Sequence, residues 1–242
     1  MYKEKIGIIG GFGAYATLNF YKRILEVFKG EKEWDYPHII MDNNFTMPSR
    51  TRALLFDESY EEIVEEIGAS MKRMISLDVD YIVLVCGTAH CFLEDVYKLV
   101  PEAEKRVLDI INLLGMKLKE MGEKEALVVA AEGTLSRGLY ERRLEQYGMA
   151  CITPQEEDYG EIRYFIECVK RNEIDCNTAE RFLTFLRGYG VTDIILGCTE
   201  FPVLVDYISG LEMGKEKEME YRKYRFFDPM EITIDWLKNH MV

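Results

Sequence analysis

Positive charge is what this chain has least to spare. Its 30 lysines and arginines stand against 43 aspartates and glutamates, a formal balance of -13. With no basic stripe to offset that deficit, the composition argues against a nucleic-acid partner. Long apolar runs are missing too. None reaches membrane-spanning length, and the opening MYKEKIGIIGG passes straight into a strand pattern rather than a signal-peptide core. The chain therefore reads as cytoplasmic, with no membrane partner. Its six cysteines (86, 91, 151, 168, 176 and 198) sit in a long, non-secreted sequence, where disulfides are a poor default. Cys86, His90 and Cys91 form the one group that invites a metal, but the spacing matches no zinc pattern and no second pair completes it. No metal is expected. A strict Gly-x-Gly-x-x-Gly is also absent: Gly11, Gly13 and Ala16 fit only its looser form, and no Walker lysine follows. The glycine loop reads as the backbone wall of a pocket before it reads as a nucleotide site.

What the chain does have is a device used twice. Asp80 to His90 reads DYIVLVCGTAH, and Asp193 to Glu200 reads DIILGCTE. Each starts on an acidic residue, runs through a short apolar strand and breaks at a cysteine among small polar residues. A buried strand that empties this way sets its thiol at the carboxyl edge of a parallel sheet, where open α/β folds bind ligands. Two such thiols in 242 residues point to a two-thiol site built between similar halves. Cys91, Cys151, Cys168 and Cys176 read as packing residues.

Around these motifs the chain alternates strand and helix. Lys5 to Gly10 is a strand ending in the glycine loop, followed by a helix with Leu18, Tyr21, Ile24, Leu25 and Phe28 at helical spacing. His38 to Asp42 is a second strand, and Asn43, Asn44 and then Met47 to Thr51 form a loop. There Arg50 is either a guanidinium fork for a carboxylate or a solvated surface charge. Asp57 is expected to cap a long helix whose Tyr60, Ile63, Ile67, Met71, Met74 and Ile75 make a core face. Lys105 to Asp109 reads as a short connecting strand. From Ile110 the order begins again, through a strand at Ala126 to Ala131 and a helix over Ser136 to Tyr147, to Cys198. Gly210 to Tyr224 reads as a solvated connection, and Arg225 to Asp228 with the helix after Pro229 as a return to the first lobe. The pattern predicts a parallel α/β fold.

Gly7 to Gly13 with Ala16-Thr17, Pro48-Ser49-Arg50-Thr51, Cys86-Gly87-Thr88-Ala89-His90, Gly133-Thr134 and Gly197-Cys198-Thr199-Glu200 together resemble the aspartate/glutamate racemase family, most closely its aspartate racemase branch. The match runs in order over essentially the whole chain. It implies two lobes, each a four-stranded parallel sheet flanked by helices, with the active site in the cleft between them. Residues 1–109 with 211–242 would form the first lobe and 110–210 the second. It also implies no cofactor, a small acidic amino-acid substrate and a homodimer. Cys86 and Cys198 become the acid/base pair, while Arg50 and Lys170 match positions that hold carboxylates. Phe12, Asn44, Gly87, Thr88, Thr134 and Thr199 complete the implied contacts. Three departures stand out: Gly87 where the family usually carries Asn, Phe12 and Ala14 in place of Met and Pro, and Ser49 in place of Asp.

Two thiols suit racemisation because the α-proton leaves one face of the carbon and returns to the other. A thiolate takes that proton once loop amides, a helix N-terminus or a cation favour its charge. Glu200 and His90 adjoin the thiols; Glu200 tunes protonation or caps a helix, and His90 is expected to pack or orient. The sequence leaves two other readings open, a same-fold lyase or isomerase of a small carboxylic acid and a non-catalytic acid-binding protein.

Overall fold

The computed structural model describes residues 2–212, 218–219 and 221–242. The middle of the expected solvated connection lies outside them. The first sheet is formed by β1 (Lys5–Gly10), β2 (His38–Asn43) and β3 (Tyr81–Leu84), all parallel, in the order β2-β1-β3. The second is formed by β4 (Glu125–Val129), β5 (Ala150–Ile152), β6 (Asp193–Leu196) and β7 (Arg225–Phe227), in the order β5-β4-β6-β7. All its pairings are parallel as well.

Two expectations about these sheets need correction. The fourth strand of the first lobe is reduced to one parallel bridge between Ile82 and Val107, because Pro101–Lys105 coils into a 3-10 turn immediately before it. The chain then enters helix α5 (Ile110–Met121), which Asp109 caps through the amides of Ile111 and Asn112. The other correction concerns Arg225–Phe227, which does not return to the first lobe but extends the second sheet beside β6. Arg225 holds it there, clamped by Asp193 on β6 and by Glu123 just before β4.

Helices cover both sheets. In the first lobe these are α1 (Ala14–Val27), α2 (Arg50–Phe56), α3 (Tyr60–Ser76) and α4 (Leu93–Leu99). The second has α5, α6 (Glu132–Ser136), α7 (Leu139–Glu145), α8 (Tyr159–Lys170), α9 (Cys176–Tyr189) and α10 (Glu200–Ser209). The closing helix, α11 (Pro229–His240), packs against both α1 and α5. Two helix boundaries differ from the sequence reading. Asp57 lies in the left-handed region as the C-cap of α2, and α3 begins after Ser59 instead. The helix expected over Ser136 to Tyr147 is broken at Gly138, whose φ of +55° separates α6 from α7.

Alternation along the central strands divides the core. Ile6 and Ile8 of β1, with Val83 and Val85, join Phe20, Ile24 and Phe28 in a cluster continuous with the second lobe. Ile9, Ile82 and Leu84 point the other way, into a cluster confined to the first lobe with Ile63, Ile67 and Met71 of α3. The lobes thus share one apolar seam and open on the far side as a cleft. Among the described residues no helix is long and apolar enough to cross a membrane.

Asp228 caps α11 at this seam. Its Oδ1 accepts from the Met230 amide at 2.8 Å, while its buried Oδ2 has no partner. Burial pushes the carboxyl up to about 7, against the pull of the Met230 amide and of Arg23. The pKa is raised on folding, so the stability it carries is present below about pH 4 and lost as pH rises through about 7. Melting temperature is expected to fall over that window. Asp228→Asn, which keeps a capping side chain, should flatten the decline. Thermal melts across the pH range check this, and an unchanged slope in the variant would remove Asp228 as its source.

Candidate active site

The cleft has a volume of about 690 Å³, and both thiols line it. Cys86 arrives on the loop after β3 and Cys198 on the loop after β6, so each lobe supplies one from the carboxyl end of a parallel strand. Neither is in a disulfide, and both are almost fully buried at 7% and 8% exposure. The two loops differ in their surroundings. Cys198 Sγ donates to Glu200 Oε2 at 2.9 Å, and Glu200, in the first turn of α10, is itself buried. Burial pushes the Cys198 thiol well above the ordinary range; the Glu200 charge and hydrogen bond add to this, as does nearby Cys86, while Lys170 opposes. Cys198 is therefore held as a protonated thiol.

His90 stands behind Cys86, outside the lining. Its Nδ1 lies 3.0 Å from the Cys86 carbonyl, so it carries the proton and donates. Burial, the largest influence, lowers the ring's pKa despite the nearby Asp109 charge, leaving a neutral imidazole that fixes the loop. Cys176, expected to pack, is exposed. No cluster of three or more metal-binding side chains occurs among the described residues.

Arg50 opens α2, whose N-cap Ser49 accepts from the Arg52 amide at 3.4 Å. Its guanidinium is braced by the carbonyls of Pro48 at 2.9 Å and Phe12 at 2.5 Å, and its Nε is buried without a partner. The carbon of the fork lies 5.1 Å from the Phe12 ring centroid. This is a fixed cation in the cleft wall and not a solvated surface charge. Thr88 and Thr199 also line the cleft, and the Thr88 hydroxyl meets that of Thr134 across the lobes at 2.8 Å. Thr134 is fully enclosed and reaches the cleft only through Thr88. Lys170, the last residue of α8, lines the cleft near Cys198. Burial lowers its pKa, but the carboxylates of Glu200 and Glu167 outweigh that and leave it raised.

Asn44 and Gly87 do not line the cleft, where the sequence reading put them as substrate contacts. The Asn44 side chain donates to Glu66 of α3 at 2.8 Å and accepts from the Thr46 amide and hydroxyl, so it ties its turn to α3. Gly87 packs below the cleft surface: a β-carbon built there would lie 2.4 Å from the Gly197 carbonyl oxygen. Its φ of -58° shows that space, not handedness, calls for glycine.

Sequence reasoning missed most of the outer walls. One stripe of α8 faces the cleft with Tyr159, Ile162, Arg163, Ile166, Glu167 and Lys170, and α2 faces it with Arg52, Leu55 and Phe56. The i, i+3, i+4, i+7 spacing of the α8 residues is visible in the sequence, but a cleft-facing stripe looks the same as a core-facing one. Glu132 enters from the start of α6 and pairs with Arg163.

Two parallel α/β lobes thus meet at a common cleft, and a thiol-bearing loop from each lines it. The chain belongs to the Asp/Glu/hydantoin racemase family, whose model matches residues 9–235. It is 24% identical over 211 residues to the broad specificity amino-acid racemase RacX of Bacillus subtilis, covering 84% of this chain and 88% of that protein. Its fold is similar to that of Picrophilus torridus aspartate racemase, with a TM-score of 0.79, 24% identity, and 98% and 94% of the two chains covered. It is also similar to that of Francisella tularensis glutamate racemase solved with D-glutamate, with a TM-score of 0.69, 16% identity, and 98% and 80% covered.

Proposed function

We propose that this protein is a cofactor-independent amino-acid racemase whose α-proton passes between Cys86 and Cys198. The observation that carries the reading is the pair of buried thiols, one from each lobe, on a single cleft. In one direction the Cys86 thiolate removes the α-proton and becomes a thiol. The electron pair left on carbon is delocalised into the α-carboxylate, and Cys198 delivers its own proton to the opposite face and becomes the thiolate. The product is the mirror image of the substrate, and the next turnover runs the other way. Because burial and Glu200 keep Cys198 protonated, Cys198 is the acid in this direction. Arg50 receives the α-carboxylate and stabilises the charge that builds there, with the Thr88 and Thr199 hydroxyls beside it. The names of the relatives, which span aspartate, glutamate and broad-specificity racemases, support racemisation in general and leave the side chain to the cleft itself.

The test is incubation of single enantiomers of several amino acids without added cofactor, read by chiral separation. Interconversion is the expected result; conversion to a different compound would replace racemase with lyase. Arg50→Ala should raise KM by about tenfold or more, the value of a charge-assisted contact. Unchanged kinetics in that variant would take the α-carboxylate away from Arg50.

A further inference from the structure

Among the described residues four cationic side chains line the cleft, and three of them already have a carboxylate. Arg52 is held by both oxygens of Glu58 at 2.6 Å, Arg163 pairs with Glu132, and Lys170 donates to Glu167 at 3.2 Å. Lys170 also feels the charge of Glu200, so two carboxylates already surround its one ammonium. A substrate carboxylate placed there would enter a locally negative neighbourhood. Arg50 differs: it is braced by backbone carbonyls only and forms no ion pair among the described residues. Among the described residues the site has one uncommitted cation, which suits a ligand with one carboxylate.

The outer part of the wall is largely apolar. Leu55 and Phe56 of α2 stand 36% and 63% exposed on one side, and Ile166 and Tyr159 of α8 line the other. Apolar side chains left open on a cleft wall gain most when a ligand covers them. The volume of about 690 Å³ is in the range of pockets for sizeable small molecules, and a four-carbon dicarboxylate would leave much of it empty.

We propose that the cleft takes a neutral α-amino acid with a bulky apolar side chain, its carboxylate on Arg50 and its side chain along Leu55, Phe56 and Ile166. This departs from the acidic substrate implied by the sequence resemblance, and it rests on the racemase reading for its chemistry alone. The cleft's preference is a matter of binding, and can be measured separately.

The experiment uses the full-length protein and both enantiomers of leucine, methionine, phenylalanine, alanine, aspartate and glutamate. Turnover is followed by α-proton exchange in deuterated water, and binding by calorimetry. Leucine, methionine or phenylalanine should exceed aspartate and glutamate in kcat/KM by about tenfold or more, the worth of burying one large apolar side chain. Phe56→Ala should reduce kcat/KM for the bulky substrates more than for alanine. Preference for aspartate or glutamate in exchange and in binding would overturn the proposal, as would equal losses for alanine and the bulky substrates in Phe56→Ala. If no amino acid exchanges its α-proton, the racemase reading fails, and the binding order alone decides the pocket. Tighter binding of the apolar amino acids would uphold it, and weaker or absent binding would reject it.

Discussion

Replacing Cys86 or Cys198 by serine is expected to abolish interconversion of enantiomers while leaving the fold intact. A hydroxyl matches the thiol closely in size but is far too weak an acid to give or take the α-proton at neutral pH. The two variants should differ in what they keep. Cys198→Ser leaves Cys86 able to remove a proton from its own face and exchange it with solvent. Cys86→Ser leaves only Cys198, which burial and Glu200 hold in the thiol form. Exchange in deuterated water should therefore survive for one enantiomer in Cys198→Ser, and for the opposite enantiomer, more slowly, in Cys86→Ser. Adding Glu200→Gln to Cys86→Ser removes the charge that opposes the Cys198 thiolate, and the slower exchange should recover in part. Full racemisation in either serine variant would rule out the two-thiol mechanism. Exchange of the same enantiomer in both would show that the thiols do not flank the α-carbon.

The parts of this site that were legible in the sequence are those where a local pattern and a chemical need coincide. A four-residue apolar strand that breaks at cysteine has little choice of structure, and both β3 and β6 deliver their thiols where that pattern predicts. Arg50 was visible as a cation after a strand end, but the helix it begins was not. Asp57 offers the same side chain for starting a helix as for closing one, and its left-handed backbone settles the matter only in three dimensions. The position of β7 was hidden for a related reason. Three residues carry too little periodicity to choose a sheet, and the choice is made by Arg225 reaching Asp193 and Glu123, far away in sequence. The fourth strand of the first lobe fails in the opposite way, since Val107 is correctly placed beside β3 but the chain turns into a helix before a ladder can extend. Asn44 shows the limit of transfer by resemblance: the residue is in the expected loop, and Glu66 and Thr46 use up its hydrogen bonds.

Gly87→Asn, which restores the side chain common in the family, is expected to damage this protein and not to improve it. The reason is the close packing of two glycines from opposite lobes. A β-carbon at position 87 would lie 2.4 Å from the carbonyl oxygen of Gly197 and 3.2 Å from Tyr140 Oη. The first contact is with backbone, so no rotamer relieves it. Gly197 is equally confined, with a built β-carbon 2.9 Å from Ala130 and 3.0 Å from the Tyr140 ring. Tyr140 is almost fully buried, and its hydroxyl donates to that same Gly197 carbonyl at 3.2 Å. Moving the two loops apart to admit asparagine would stretch or break this bond and shift Cys86 and Cys198, each adjacent to one of the glycines. Forced overpacking of this kind costs about 1–3 kcal/mol and more where backbone must move. A drop in melting temperature should accompany a large loss of kcat, because misplacing acid or base by an ångström costs about a hundredfold. Gly87→Ala isolates the steric part: it adds only the β-carbon and should reproduce most of both losses. If Gly87→Asn instead melts normally and gains activity toward aspartate or glutamate, the glycine is a specificity change and the loops can part without cost. A variant that melts normally with unaltered activity would show that the contact between Gly87 and Gly197 is looser in solution than the packing of the two loops requires.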